Sequence, residues 1–201
     1  ITWTAAALPS YAKWYSVTYG DGKFVAVAYE SNQAAYYTEG KACILKGNGN
    51  GGMDSAIPGV DYVPPNSESF SLVGAASEDL GNVAFKSLST SAALPSFANW
   101  RSVVYGNGKF VAVASGSTVA AYSTDGITWN AATLPSSASW FSVTYGDGKF
   151  VAVASDSSTA AYSTDGIAWT ASTMPSFANW FSVTYGNGKF VAVASGSTVA
   201  A

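Results

Sequence analysis

The chain has 201 residues, of which 48% are hydrophobic and only 10% charged, against about 25% charged in an average soluble domain. Its net charge is −3, and its lysines are spread rather than pooled, which disfavours nucleic acid, a partner that needs clustered basic side chains. It has no histidine at all, which rules out a Ser-His-Asp triad and a histidine metal site.

This length suits one large all-β domain or two small ones. No apolar run approaches the roughly 18 residues of a membrane span, so no membrane insertion is expected. The single cysteine, Cys43, allows no intrachain disulfide and reads as a buried, inert thiol. No signal peptide is visible, and the chain starts at Ile1 without Met; it reads as a mature fragment or part of a longer protein.

In chain order, Ile1-Thr2-Trp3 comes first, followed by Trp14-Tyr-Ser-Val-Thr-Tyr-Gly-Asp-Gly-Lys-Phe-Val-Ala-Val-Ala. That second stretch recurs from Trp100, Trp140 and Trp180, which are spaced by 40 residues. A period in this range signals a propeller, solenoid or array. The step from Trp14 to Trp100 is 86 residues, two periods and about six. A decayed copy is therefore expected over residues 41–91, with a Gly-rich insertion from Lys46 to Tyr62 and with Ala93-Leu94-Pro95 closing it.

Within the repeat from Trp140, Phe141–Tyr145 is β-branched and aromatic, and Gly146-Asp147-Gly148 is a tight hairpin turn. Lys149–Ala154 is a return strand apolar on both faces, as a strand sandwiched between neighbours requires. Ala160–Ser163 makes a third strand. Ala168–Ser172 makes a short fourth, stopped by Pro175. No helix signal appears. Four short antiparallel strands per repeat, covered on both faces, describe a propeller blade. The expected fold is all-β: a single propeller domain over residues 1–201, with five four-stranded blades of about 40 residues. Ile1-Thr2-Trp3 matches Ile127-Thr128-Trp129, and Ala200-Ala201 matches Ala120-Ala121. The two termini thus fall in one repeat, as in a ring closed by N- and C-terminal strands.

Ser123-Thr-Asp125-Gly126-Ile-Thr-Trp129 and Ser163-Thr-Asp165-Gly166-Ile-Ala-Trp169 resemble the Asp-box (BNR-like) turn of sialidase-type propellers. They lack one residue between Asp and Gly. The resemblance implies a structural role, in which Ser and Asp bind turn amides and Trp packs beneath the turn. The wider repeat is similar to those of bacteriophage tail or fibre proteins and bacterial surface proteins, which implies an extracellular or virion location.

A sialidase-like glycoside hydrolase is the sharp enzymatic alternative. Such enzymes hold their substrate carboxylate with three arginines, and this chain has only Arg101. Asp54, Asp61, Glu68, Glu78 and Asp79 could supply a carboxylate pair, yet they read as a solvated loop. Arg101 stands where the later repeats have Phe141 and Phe181 and reads as a blade-edge variation. Gly47–Gly52 lacks the Lys-Ser/Thr of a phosphate loop. No catalytic residue, cofactor or metal is expected. Two readings remain. One is a non-catalytic adhesion module for surface glycans, using Trp14, Trp100, Trp140 and Trp180 with Asn99 and Asn179; here the competing role for the tryptophans is inter-blade packing. The other is a structural display domain that binds other virion or surface-appendage proteins. A sugar binder should expose the same Trp in several blades, and a scaffold should bury them.

Overall fold

The computed structural model describes residues 8–38 and 90–201. The chain divides into one compact body of Ile1–Thr38 with Leu88–Ala201 and another of Glu39–Ser87. The second body, with Cys43, the Gly-rich stretch and the five acids named above, lies outside the described residues. So do Ile1-Thr2-Trp3 and most of the expected 41–91 blade.

The described residues are all-β. The strands are β1 (Lys13–Gly20), β2 (Lys23–Tyr29), β3 (Ser31–Thr38), β4 (Thr90–Gly106), β5 (Lys109–Ser123), β6 (Asn130–Gly146), β7 (Lys149–Ser155), β8 (Ser157–Ser163), β9 (Thr170–Ala178), β10 (Trp180–Gly186) and β11 (Lys189–Ala194). Strands β1 to β9 form one antiparallel sheet in sequence order, and β10 pairs with β11.

The repeats show through this continuous sheet. β4 pairs with β3 through Thr90–Ala93 and with β5 through Asn99–Gly106. β6 likewise serves β5 through Asn130–Thr133 and β7 through Ser139–Gly146. Each long strand thus ends one four-stranded repeat and starts the next, switching partners across a Leu-Pro-Ser bend where proline cannot donate to the ladder. The hairpin turns are two-residue loops with both residues at positive φ: Asp21/Gly22, Asn107/Gly108, Asp147/Gly148 and Asn187/Gly188. This is the turn whose twist matches the flanking strands. The alternation between Asp and Asn at its first position follows from the left-handed region, which those two side chains tolerate.

One expectation is corrected here. Ala93 does not close a decayed repeat; it pairs with Gln33 of β3 and supplies the last strand of the first repeat. The first and second repeats then pack as directly as any other pair. The Val103 amide donates to Ser16 Oγ at 3.1 Å, just as Val143 donates to Ser102 and Val183 to Ser142. A blade between the Trp14 and Trp100 repeats would separate these groups. The long step in the repeat therefore falls between β3 and β4 of the first repeat, and the described residues carry four repeats. The last repeat consists of β10, β11 and a short return that bridges Val193 to Ala200. Among the described residues, no strand pairing joins the first repeat to the last.

Three apolar cores fill the three seams between repeats. The first joins Val25, Val27 and Leu94 to Trp100, Val103 and Phe110. The second joins Val113 and Leu134 to Trp140 and Val143. The third joins Val153 and Ala160 to Trp180 and Val183. The small alanines of each return strand let neighbouring sheets approach closely, and the large side chain at each seam comes from the following repeat.

Candidate functional site

The repeated tryptophans belong to these seams. Trp100, Trp140 and Trp180 have no exposed surface, and Trp14 is half-buried. Among the described residues, Trp100 packs against Val25, Val27 and Leu94 of the repeat before it, and no described repeat stands before Trp14. Each indole N–H donates to the carbonyl of the serine four residues earlier. These bonds run from Trp14 to Ser10 (3.3 Å), Trp100 to Ser96 (3.3 Å), Trp140 to Ser136 (3.1 Å) and Trp180 to Ser176 (3.2 Å). The ring therefore pins the Pro-Ser bend, where the chain passes between repeats. Trp100, Trp140 and Trp180 pack in the three cores and do not reach solvent, whereas Trp14 keeps part of its ring exposed. Asn99 is half-buried and pairs in the ladder with Ser115. Asn179 is exposed, but its Oδ1 accepts from the Asp156 amide at 3.1 Å, which fixes a turn at positive φ.

The two Ser-Thr-Asp-Gly turns superimpose bond for bond. Asp125 Oδ1 accepts from the amides of Ile127 and Thr128, both at 2.8 Å. Ser123 Oγ accepts from the Gly126 amide at 2.8 Å and donates to Asp125 Oδ1 at 2.9 Å. Asp165 and Ser163 repeat these contacts with Ile167, Ala168 and Gly166. Burial pushes the Asp125 carboxyl up, but the Ile127 and Thr128 amides and the Ser123 hydroxyl outweigh it and hold the group at about 2. The Ile167 and Ala168 amides lower Asp165 in the same sense. A carboxylate so well supplied with donors is a poor proton carrier at neutral pH. Gly126 and Gly166, both at positive φ, lie against Val25 with Phe110 and against Val111 with Phe150, so each turn locks onto the preceding repeat. Trp129 is buried and Trp169 half-buried.

Arg101 is held among aromatic rings. Its guanidinium carbon lies 4.5 Å from the Tyr15 ring centroid, 4.3 Å from Tyr29 and 4.8 Å from Phe141, a cation–π arrangement. It is one rung in a column of equivalent side chains, Tyr15, Arg101, Phe141 and Phe181, the last two with centroids 3.9 Å apart. Among the described residues its Nε is buried without a partner. Among the described residues, no group of three His, Cys, Asp or Glu side chains is placed to hold a metal ion.

What the repeats offer to solvent is a different aromatic row. Tyr11, Phe97 and Phe177 occupy one repeat position, three residues before each Trp, and the second repeat's row continues to Ser137 in the third. Tyr11 is fully exposed, Phe97 is 73% exposed and Phe177 70%. Sequence reasoning passed over them because it weighed the neighbouring Trp. The available signal was Ser137: a position that accepts serine in one copy and phenylalanine in two is not a core position. A cleft of about 470 Å³ opens in the first repeat, lined by Pro9, Ser10, Asn32, Gln33, Ala34 and Ser91–Ala93. Ser10 Oγ donates to Gln33 Oε1 across it at 2.6 Å. This size is in the range of small-ligand sites; Ser10, Asn32, Gln33 and Ser91 give the lining hydroxyl and amide groups, and Pro9, Ala34, Ala92 and Ala93 make the rest apolar.

No family model and no curated protein matches the sequence. Among solved structures, the chain is similar to the computationally designed protein Ika4, with 9% identity and a TM-score of 0.53 over 98% of this chain and 96% of that one. It is also similar to virginiamycin B lyase from Staphylococcus aureus, with 16% identity and a TM-score of 0.51 over 91% of this chain and 64% of the lyase. A catalytically inactive variant of that lyase with quinupristin gives 15% identity and a TM-score of 0.51 over 94% and 66%. The chain thus spans about two thirds of the lyase's length. At these identities the likeness is one of fold alone, and that fold is all-β and of propeller type.

Proposed function

We propose that this chain is a non-catalytic binding module of the extracellular or virion-associated kind, with surface glycans as its ligand class. The observation that carries the reading is the exposed aromatic row of Tyr11, Phe97 and Phe177. Aromatic faces beside amides and hydroxyls suit the apolar faces of sugar rings, and the cleft of the first repeat adds hydrogen-bonding groups from Ser10, Asn32, Gln33 and Ser91. A weak site presented by successive repeats gains avidity on a multivalent surface. The resemblance of Ser123–Trp129 and Ser163–Trp169 to Asp-box turns supports a propeller scaffold and gives those residues a structural task. Their hydrogen bonds are spent on turn amides, which leaves the row as the ligand-facing chemistry. The blades, on this reading, belong to a ring in which the face of the last repeat meets the face of a first.

The test is a glycan array probed with the wild-type chain and with the Tyr11→Ala, Phe97→Ala, Phe177→Ala triple variant. Selective binding by the wild type that is lost in the folded triple variant supports the reading; binding unchanged in the variant overturns it. The burial of Trp100, Trp140 and Trp180 favours a second reading, a display scaffold with protein partners. A wild-type chain that binds no glycan at any concentration favours that one.

A further inference from the structure

The first repeat departs from the others at one turn. It reads Tyr29-Glu30-Ser31-Asn32-Gln33, where the second reads Ser115-Gly116-Ser117-Thr118-Val119. The third reads Ser155-Asp156-Ser157-Ser158-Thr159 and the fourth Ser195-Gly196-Ser197-Thr198-Val199. The central serine does the same work in all four: its Oγ accepts from the amide two residues on, at Gln33, Val119, Thr159 and Val199. Glu30 holds the turn at a φ of 51°, the left-handed position that Gly116, Asp156 and Gly196 take in the others. The backbone of the turn is thus kept, and the change falls on the side chains it carries. Two amides, Asn32 and Gln33, stand where the other repeats have valine, threonine or serine.

Those amides change the chemistry against the Pro-Ser bend. Ser96 and Ser176 are the equivalents of Ser10 in the repeats that carry Val119 and Val199. Their Oγ atoms are buried without a partner among the described residues. In the first repeat Ser10 Oγ donates to Gln33 Oε1 at 2.6 Å. The bond engages the oxygen end of the Gln33 amide and leaves Nε2, with its two N–H groups, as the end that a ligand can meet. Asn32 is exposed and adds both an amide donor and an acceptor, and Ser91 adds a hydroxyl. Pro9, Ala92 and Ala93 supply small apolar surface in the same cleft. No lining residue is charged. The charged residues that adjoin the lining most closely in the chain, Lys13 and Glu30, pair with one another. A carboxylate, phosphate or sulfate finds no counter-charge in such a lining, whereas a neutral secondary amide with a methyl group finds donors, acceptors and apolar surface together.

We infer that this cleft takes the N-acetyl group of a neutral acetamido sugar and sets the sugar preference of the chain. The inference rests on the glycan reading above and adds to it which sugars are selected and by which residues. The acetamido carbonyl accepts from Gln33 Nε2, its N–H donates to Asn32 Oδ1, and its methyl packs on Ala92 and Ala93. The cleft is open to water, so groups left unpaired by a sugar without the acetamido substituent are hydrated. Selection is therefore modest, about tenfold for a hydrogen bond and a methyl contact. Affinity for sugar rings of either kind stays with the exposed row of Tyr11, Phe97 and Phe177.

The test compares dense surfaces of chito-oligosaccharide and cello-oligosaccharide, which share ring and linkage and differ in the acetamido group. Binding is read by surface plasmon resonance for the wild type and for the Asn32→Thr, Gln33→Val pair, with circular dichroism melting to establish the fold. The pair carries the residues that the second repeat has at these positions, so the turn accepts them; Asn32→Thr alone, at an exposed position, serves if the pair disturbs the fold. The wild type is expected to prefer the chito-oligosaccharide surface by about tenfold. The pair should bind both surfaces alike, with its cello-oligosaccharide binding unchanged, and Asn32→Thr alone should lose part of the preference. Equal binding of the wild type to both surfaces overturns the assignment of the cleft and leaves the glycan reading standing. A preference that persists in the folded pair overturns it in the same way. Binding to neither surface overturns it too, and the glycan reading then stands or falls on the wider array.

Discussion

Replacing Trp140 with alanine should unfold the seam it fills rather than disable a binding site. The ring has no exposed surface and packs with Val113, Leu134, Val143 and Ala154 in the second core. Truncating a fully buried Trp costs about 3–5 kcal/mol, from lost transfer energy and the cavity left behind. The Ser136 carbonyl also loses its indole donor, which adds about 1 kcal/mol where water cannot reach it. The expected loss is therefore at the upper end of that range, a large share of the roughly 5–15 kcal/mol that holds a domain folded. Trp14→Ala is the internal control. The same side chain there is half-buried, so about 1–2 kcal/mol is expected from its smaller buried area. Urea unfolding followed by circular dichroism reads both variants without relying on Trp fluorescence. Equal losses for the two, or a Trp140→Ala chain within about 1 kcal/mol of wild type, would refute the assignment of these rings to inter-repeat cores.

Three further outcomes follow from the same contacts. Gly106→Ala should lose about 1–3 kcal/mol by overpacking, because its Cβ would overlap the Tyr145 ring; an unchanged melting temperature contradicts that seam. Arg101→Phe should fold at least as stably as wild type, since it restores the column of rings and removes a buried Nε with no partner. A clear drop in its melting temperature would mean that the guanidinium's contacts with Tyr15, Tyr29 and Phe141 outweigh that cost. Asp125 has a folded carboxyl at about 2, against an ordinary value of 3.8. Its stabilisation is therefore fully present above the ordinary value and drains away as pH falls from there toward 2. Asp125→Ala should cost about 0.5–2 kcal/mol at neutral pH, as lost turn caps do, and should flatten that part of the stability–pH curve; an unaltered acid slope would count against the turn bonds.

Much of the local structure was legible because it is set by short-range chemistry. A Gly-Asp-Gly or Gly-Asn-Gly between β-branched runs demands a hairpin, and all four hairpins are present. The doubly apolar return strands Lys109–Ala114 and Lys149–Ala154 told correctly that sheets cover both faces. The number of repeats was harder to read, since Ala93-Leu94-Pro95 fits the end of any repeat equally well. Only the pairing of Ala93 with Gln33 across the insertion shows which repeat it ends. The role of Trp100, Trp140 and Trp180 was likewise ambiguous, because a repeated aromatic looks alike in the sequence whether the next layer covers it or not. Arg101 reads in the sequence as a blade-edge variation on Phe141 and Phe181, and its place among the rings depends on Tyr15 and Tyr29, which are far away in the chain. The row of Tyr11, Phe97 and Phe177 was missed because each stands three residues before a more conspicuous Trp, and only the structure shows these rings exposed.

The measurement that tests the central claim most directly is binding to a dense glycan surface by surface plasmon resonance as the aromatic row is removed one ring at a time. The chain is compared with folded Phe177→Ala, the Phe97→Ala, Phe177→Ala pair and the triple variant that adds Tyr11→Ala. A multivalent binder predicts a stepwise fall in avidity with each ring lost, and little left in the triple variant. Equal binding by all four proteins, or none by the wild type, would contradict the account.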